Sequence, residues 1–235
     1  MKYIIIGLGK FGAALAEKLS EMGNEVIGVD LQMSRIDALK DKLTHTINLD
    51  ATDPDAVENL PLNDADTVII AIGEDTGANI LVAALMKKKK VKHLIDRVVD
   101  PLQKTVLEAM GINEVIHPEA EAAERWAKKL NLEGVVDSFE LDSNYSIVET
   151  EIPEEYHDKT IEELAINEEF DIIILAIMSV EGDTNEMGAE KDRKTVQGVA
   201  KADTVLYKDD IMVLYGSNDN IRKLLDEHRK FKERK

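Results

Sequence analysis

From Tyr3 to Leu130, short apolar runs rich in β-branched residues alternate with stretches whose apolar residues recur every three or four positions. The first pattern is that of a strand buried on both faces, the second that of a helix burying one side. Tyr3-Ile4-Ile5-Ile6 predicts a strand; Ala13, Leu15, Ala16, Leu19 and Met22 predict the helix after it, with Gly23 placed to stop it. Glu25 to Val29 is a second strand, ending in Asp30. Ser34 is placed to cap a helix carrying Ile36, Leu39 and Leu43, and Thr46 to Leu49 reads as a third strand. Asp50-Ala51-Thr52-Asp53-Pro54 turns the chain into a short helix with proline near its start. Thr67 to Ile72 predicts a fourth strand closed by Gly73, Ala78 to Met86 a helix, and Lys92 to Ile95 a fifth strand. A helix from Pro101 stopped by Gly111, a sixth strand at Glu114 to Ile116 and a helix from His117-Pro118-Glu119 to Leu130 complete the series. This alternation is the mark of an α/β fold, a Rossmann-like doubly wound parallel sheet.

Near Gly134 the pattern changes. Ser138 to Leu141, Ser146 to Glu151, Ile172 to Met178, Thr204 to Tyr207 and Ile211 to Tyr215 read as strands, with short helices at Ile161 to Ala165 and Ile221 to Leu225. Glu181 to Ala202 is polar and glycine-containing, which predicts a long exposed loop or hairpin. The expected organisation is a nucleotide-binding domain over 1–133, a smaller C-terminal α+β domain over 134–219, and a basic helical tail over 220–235.

Composition narrows the function classes. A chain of 235 residues, 44% hydrophobic, suits one large domain or two small ones. Its longest apolar run, Ile172 to Met178, is far short of the ~20 residues that span a bilayer, and no leader pattern opens the chain. With no cysteine there are no disulfides, thiolate metal sites or cysteine nucleophiles, in keeping with a reducing cytoplasm. A net charge of −18 opposes nucleic-acid partners. Lys87-Lys88-Lys89-Lys90 and the tail from Arg222 to Lys235 are local basic exceptions, read as solvated helix ends.

The candidate chemistry sits at Gly7-Leu8-Gly9-Lys10-Phe11-Gly12, directly between the first strand and its helix. In this setting Gly7 permits a tight turn, Gly9 lets backbone approach a diphosphate, and Gly12 lets helix pack on strand. The helix N-terminus offers unpaired N–H groups and its positive dipole end to phosphates. Asp30 lies about 20 residues beyond the loop, where a βαβ unit presents a carboxylate to a ribose. Asp50, Ala51, Thr52, Ala71, Ile72 and Gly73 also fall at strand carboxyl ends, where such sheets bind ligands.

These residues resemble the RCK family, regulators of K+ conductance, and within it the cytosolic gating subunits of Ktr- and Trk-type potassium transporters. The glycine loop, Val29-Asp30, Asp50-Ala51-Thr52 and Val68 to Gly73 carry the resemblance. So do Leu107 to Ile112, Val115-Ile116-His117-Pro118-Glu119, Asn144 to Glu149, Thr160 to Leu164, Ile173 to Ile177 and Asp209 to Gly216. It implies a regulatory, non-enzymatic subunit on the inner face of the cell membrane, forming homodimers and octameric rings beneath a membrane pore subunit. Exchange of ATP and ADP, or binding of NAD(H), would switch the ring, provided the ligands differ in affinity for its conformations. Related subunits commonly carry arginine where Lys10 stands; lysine keeps the charge and loses the planar fork. The resemblance also gives Glu119 a role in binding a divalent cation, Mg2+ or Ca2+, beside the phosphates. Some relatives bind cyclic di-AMP in the second domain; here Asn167 stands where a contacting arginine would be wanted, and Glu168, Glu169 and Asp171 add negative charge nearby, which disfavours that dianion.

Other readings stay open on the residues alone. Asp30 is equally suited to an NAD-dependent oxidoreductase, although the five histidines form no motif with acid or tyrosine partners. A soluble nucleotide sensor with a non-membrane partner differs only in that partner. Ala122, Ala123, Trp126, Ala127 and Leu130 share related faces of one helix, the pattern of a packed partner helix and of a homodimer contact.

Overall fold

Ile4 and Ile6 point into one buried cluster and Ile5 into another, because successive side chains of a strand alternate between the two faces of its sheet. That strand, β1 (Lys2–Ile6), lies inside a parallel sheet of six strands in the order β3-β2-β1-β4-β5-β6. Its companions are β2 (Glu25–Asp30), β3 (His45–Asn48), β4 (Thr67–Ile70), β5 (Leu94–Arg97) and β6 (Val115–Ile116). Helices α1 (Lys10–Glu21), α2 (Met33–Leu39), α3 (Pro54–Val57), α4 (Thr76–Lys88), α5 (Pro101–Ala109) and α6 (Pro118–Asn131) follow the strands in turn. The computed structural model describes residues 1–131, 134–184 and 190–232, which divide into the units Met1–Glu121 and Ala122–Lys235.

In the first unit the doubly wound parallel sheet read from the sequence forms, with both faces covered. Several local readings change: β4 ends at Ile70, two residues short of Ile72, and β5 starts at Leu94 rather than Lys92. Helix α2 starts at Met33 with Gln32 as an N-cap that makes no side-chain bond, so Ser34 is not the cap. It ends at Leu39, and Leu43 reaches the core from the turn beyond it. Strand β5 continues past Ile95 through Asp96 and Arg97, which pair with Val115 and Ile116.

In the second unit, β7 (Val135–Glu140), β8 (Tyr145–Glu151), β9 (Ile173–Thr184), β10 (Glu190–Val199) and β11 (Ile211–Ser217) form an antiparallel sheet ordered β10-β9-β11-β8-β7. Its core packs Val148, Ile166, Ile172, Ile177, Met212 and Leu214 with Ile221 and Leu224 of α9 (Asn218–Lys232). The helix expected from Ile161 to Ala165 forms as α7 (Ile161–Leu164), stopped where Ala165 turns left-handed at φ 46°, and a further short helix, α8 (Ile166–Phe170), follows it. Thr204 to Tyr207 is not a strand. Val205 makes an isolated bridge to Thr160, and Leu206 buries itself by bonding a loop, its N–H to Lys159 O and its carbonyl to Asp158 N. The segment from Glu181 to Ala202 is largely a hairpin, with β9 and β10 paired; positions 185–189, the domain edge at 133 and the tail at 233–235 lie outside the described residues.

Candidate functional site

The sheet order reverses at β1, which has β2 on one side and β4 on the other, so the loops after these strands diverge and leave a crevice. The β1–α1 turn is its floor. Gly7 holds φ +97°, and a Cβ there would lie 2.9 Å from Ile72 Cγ1 and 3.0 Å from Ile72 N. A Cβ on Gly12 would fall 1.9 Å from the Gly7 carbonyl oxygen. Both glycines are therefore demanded by the chain's own packing. Gly9 is different: its φ of −65° suits any residue, and the nearest atom to an added Cβ is Arg35 Nη1 at 3.8 Å. As N-cap of α1 it supplies no side-chain acceptor, and the first turn holds no acid. The helix thus presents bare N–H groups and its positive end to whatever lies on Gly9.

Asp30, at the end of β2, is buried and already bonded. Its Oδ2 accepts the Leu8 N–H at 2.7 Å and its Oδ1 the Gln32 N–H at 2.7 Å. It therefore ties the glycine loop to the β2–α2 turn. Arg35 Nη1 stands 3.4 Å from Asp30 Oδ2, while Nη2 donates to both oxygens of Glu74 at 3.0 and 3.1 Å. Leu49 N–H and the Asn48 amide bond the Asp30 carbonyl, which brings the end of β3 alongside. There Asp50 accepts the hydroxyl and N–H of Thr52, and these bonds hold its carboxyl below the usual range. Ala51 is buried between them.

On the other flank the Arg97 guanidinium lies 5.5 Å from the centre of the Phe11 ring and pairs with Glu119. A Cβ on Gly73 would sit 2.5 Å from its Nη1. Beneath them runs a buried amide network. Asn79 Nδ2 donates to Asp96 Oδ1 at 2.7 Å and to Ile72 O at 3.1 Å, and Gln103 Nε2 donates to Asn79 Oδ1 at 2.8 Å. Asp96 Oδ2 and Arg97 Nε are buried without a protein partner, and burial pushes the Asp96 carboxyl up to about 7.

The structure thus brings together Gly7, Leu8, Gly9, Phe11, Gly12, Asp30, Ala71, Ile72 and Gly73 around one crevice. Lys10 opens α1 as an exposed side chain. Among the described residues, no three His, Cys, Asp or Glu side chains converge on a metal position, and Glu119 brings one carboxylate paired to Arg97. Arg35, Glu74, Arg97, Asn79 and Gln103 were not read from the sequence; the rule of strand carboxyl ends would have found Arg97 had β5 been followed to its end. The lysine run closes the far end of α4, where Lys87 bonds Gly111 O and Lys89 pairs with Glu58. A cavity of about 420 Å³ beside it, lined by Lys87, Lys90, Lys92, His93 and Glu114, lies at the amino ends of β5 and β6, away from the crevice.

Comparison with known proteins agrees with this architecture. Residues 3–118 match the TrkA-N domain family. The chain is 30% identical to the Ktr system potassium uptake protein C of Bacillus subtilis over 94% of both chains. It is 27% identical to the Ktr system potassium uptake protein A of the same organism over 96% of both. The crystal structure of the GsuK RCK domain shares the fold at a TM-score of 0.62 and 18% identity, covering 95% of this chain and 47% of that one. With a collinear relative at this identity across nearly its whole length, the chain belongs to the family of Ktr-system potassium uptake proteins, and residues 3–118 form its TrkA-N domain.

Proposed function

We propose that this chain is a nucleotide-responsive regulatory subunit of a membrane potassium uptake system, working as a homo-oligomeric ring, without catalysis, at the cytoplasmic face of its pore subunit. The observation that carries the reading is Gly9. It is a glycine that neither backbone angle nor packing requires, at an uncapped helix N-terminus, next to the loop that Asp30 ties down and inside a chain collinear with potassium uptake proteins. ATP and ADP are the proposed ligands, their diphosphate on the α1 N-terminus and their ribose at Asp30, with Lys10 toward the terminal phosphate. Asp50, Ala51 and Thr52 border the base, and Ala71 to Gly73 form the opposite wall. Glu119 would offer a carboxylate to a Mg2+ ion carried by the phosphates. NADH is the second candidate, because a structural neighbour of the same fold is a GsuK channel bound to NAD.

Thermal-shift measurements with ATP, ADP, NADH and NAD+, each with and without Mg2+, test this. A ligand at about 100 times its dissociation constant should add roughly 2.7 kcal/mol per site. The expected result is stabilisation by ATP and ADP, lost in Asp30→Asn when each protein is compared with its own unliganded midpoint. Stabilisation by NADH alone would replace the ATP/ADP assignment, and no stabilisation by any of the four would remove the nucleotide reading. Recovery of a potassium pore protein with the chain from membranes supports the regulatory role; recovery of soluble partners alone sinks it.

We place the homodimer contact on α6, where Trp126 and Leu130 are 57% and 80% exposed beside exposed Ala122 and Ala123. Ala123→Glu should lower the mass measured by light scattering, and an unchanged mass removes this contact.

A further inference from the structure

We propose that Arg35 and Glu74 form a clasp across the crevice, in which the Glu74 carboxylate occupies the Arg35 Nη2 donors that a ligand phosphate takes on binding. The inference rests on the nucleotide reading above and adds a regulatory contact to it.

The clasp joins the two sides of the sheet reversal. Arg35 belongs to the first turn of α2, after β2, and Glu74 to the loop between β4 and α4. Gly9 lies beside the arginine, with Arg35 Nη1 3.8 Å from the place its Cβ would fill. Any group resting on the Gly9 backbone therefore meets this guanidinium.

Charge explains why the arginine is held there. A cation in the first turn of a helix opposes the dipole and needs a compensating negative group. Asp30 supplies part of that compensation from 3.4 Å, and Glu74 supplies the rest through two bonds at 3.0 and 3.1 Å. Glu74 contributes little else: its side chain is 77% exposed, and the helix cap is made by its neighbour Asp75, which accepts the Ala78 N–H. Carboxylate and phosphate oxygens accept from the same guanidinium N–H groups, so the two compete for Arg35 Nη2. A phosphate on Gly9 would also repel the Glu74 carboxylate, so occupancy opens the clasp. The closed clasp then lowers apparent affinity by the fraction of molecules in which it is open.

The contact acts on charge, which separates it from ordinary packing. Calorimetric titration of the full-length chain with ADP and with uncharged adenosine tests it in wild type, Glu74→Gln and Arg35→Gln. Glu74→Gln should tighten ADP about 3- to 10-fold and leave adenosine unchanged. Arg35→Gln should weaken ADP by about 10-fold or more and adenosine far less. Arg35→Lys, which keeps the charge without the fork, should fall between and guards against a variant that fails to fold. ADP bound no more tightly by Glu74→Gln, or equal loss of ADP and adenosine in Arg35→Gln, overturns the clasp while the nucleotide reading stands. A wild-type chain that binds neither ligand overturns both.

Discussion

Gly12→Ala should destabilise the N-terminal unit by more than about 3 kcal/mol, whereas Gly9→Ala should leave its stability within about 0.5 kcal/mol and abolish nucleotide binding. The contrast comes from what each new methyl group meets. At Gly12 it would lie 1.9 Å from the Gly7 carbonyl oxygen, which is backbone and cannot rotate away. Relief would require α1 to lift from β1, undoing the contact that also seats Ala71, whose Cβ is 3.0 Å from the same point. Overpacking that forces backbone to move exceeds the usual cost of an added methylene. At Gly9 the φ of −65° and ψ of −172° are open to alanine, and an added Cβ meets only Arg35 at ordinary contact distance. The methyl would instead stand where a diphosphate must approach the helix N-terminus. Urea unfolding of both variants, with ADP titration of Gly9→Ala, decides the matter. Tight ADP binding by Gly9→Ala would leave the central glycine without a ligand role.

The difference between these glycines also marks how far the sequence could be read. Their spacing between a β-branched run and a helical repeat was enough to place the turn, and alternation was enough to give the parallel sheet. What escaped were contacts between residues far apart in sequence. Nothing near Arg35 announces Glu74, because the two meet only after β2 and β4 take places on either side of β1. Asp30 reads as a free carboxylate, yet folding engages it with the N–H groups of Leu8 and Gln32. Arg97 was hidden because charged residues end an apolar run on paper, while the backbone ladder of β5 continues through them. The opposite error arose at Thr204 to Tyr207, where Val205 and Leu206 look like a strand, yet Val205 makes a single bridge and Leu206 buries from a loop. Short apolar runs carry burial more reliably than conformation.

Asp96→Asn should stabilise the protein above neutral pH, with an advantage that falls by about 4 kcal/mol between pH 8 and pH 4. Asp96 is fully buried in β5, its Oδ1 bonded to Asn79 and its Oδ2 to no protein group, and burial raises its carboxyl from 3.8 to about 7. The raised value fixes the direction. Below the unfolded value of 3.8, both states hold the proton and the group adds no pH dependence. Between there and about 7 the native state keeps a proton that the unfolded chain has released, so stability declines as pH rises. Above about 7 the native chain bears a buried anion and the whole penalty is present. Asparagine cannot ionise, which removes this slope. Its second N–H would face the unpartnered Oδ2 position at a constant cost of about 1–3 kcal/mol, so the change with pH is the firmer quantity. The consequence reaches the crevice, because Asn79 joins Asp96 to the Ile72 carbonyl and Arg97, next along β5, lies under Gly73. Ionising Asp96 changes the charge beneath the wall against which a nucleotide would rest, so from pH 6 to pH 8 wild-type ADP affinity should weaken relative to that of Asp96→Asn, with the ligand's own phosphate titration common to both. Parallel pH profiles for the two proteins would show that the buried carboxyl does not reach the site.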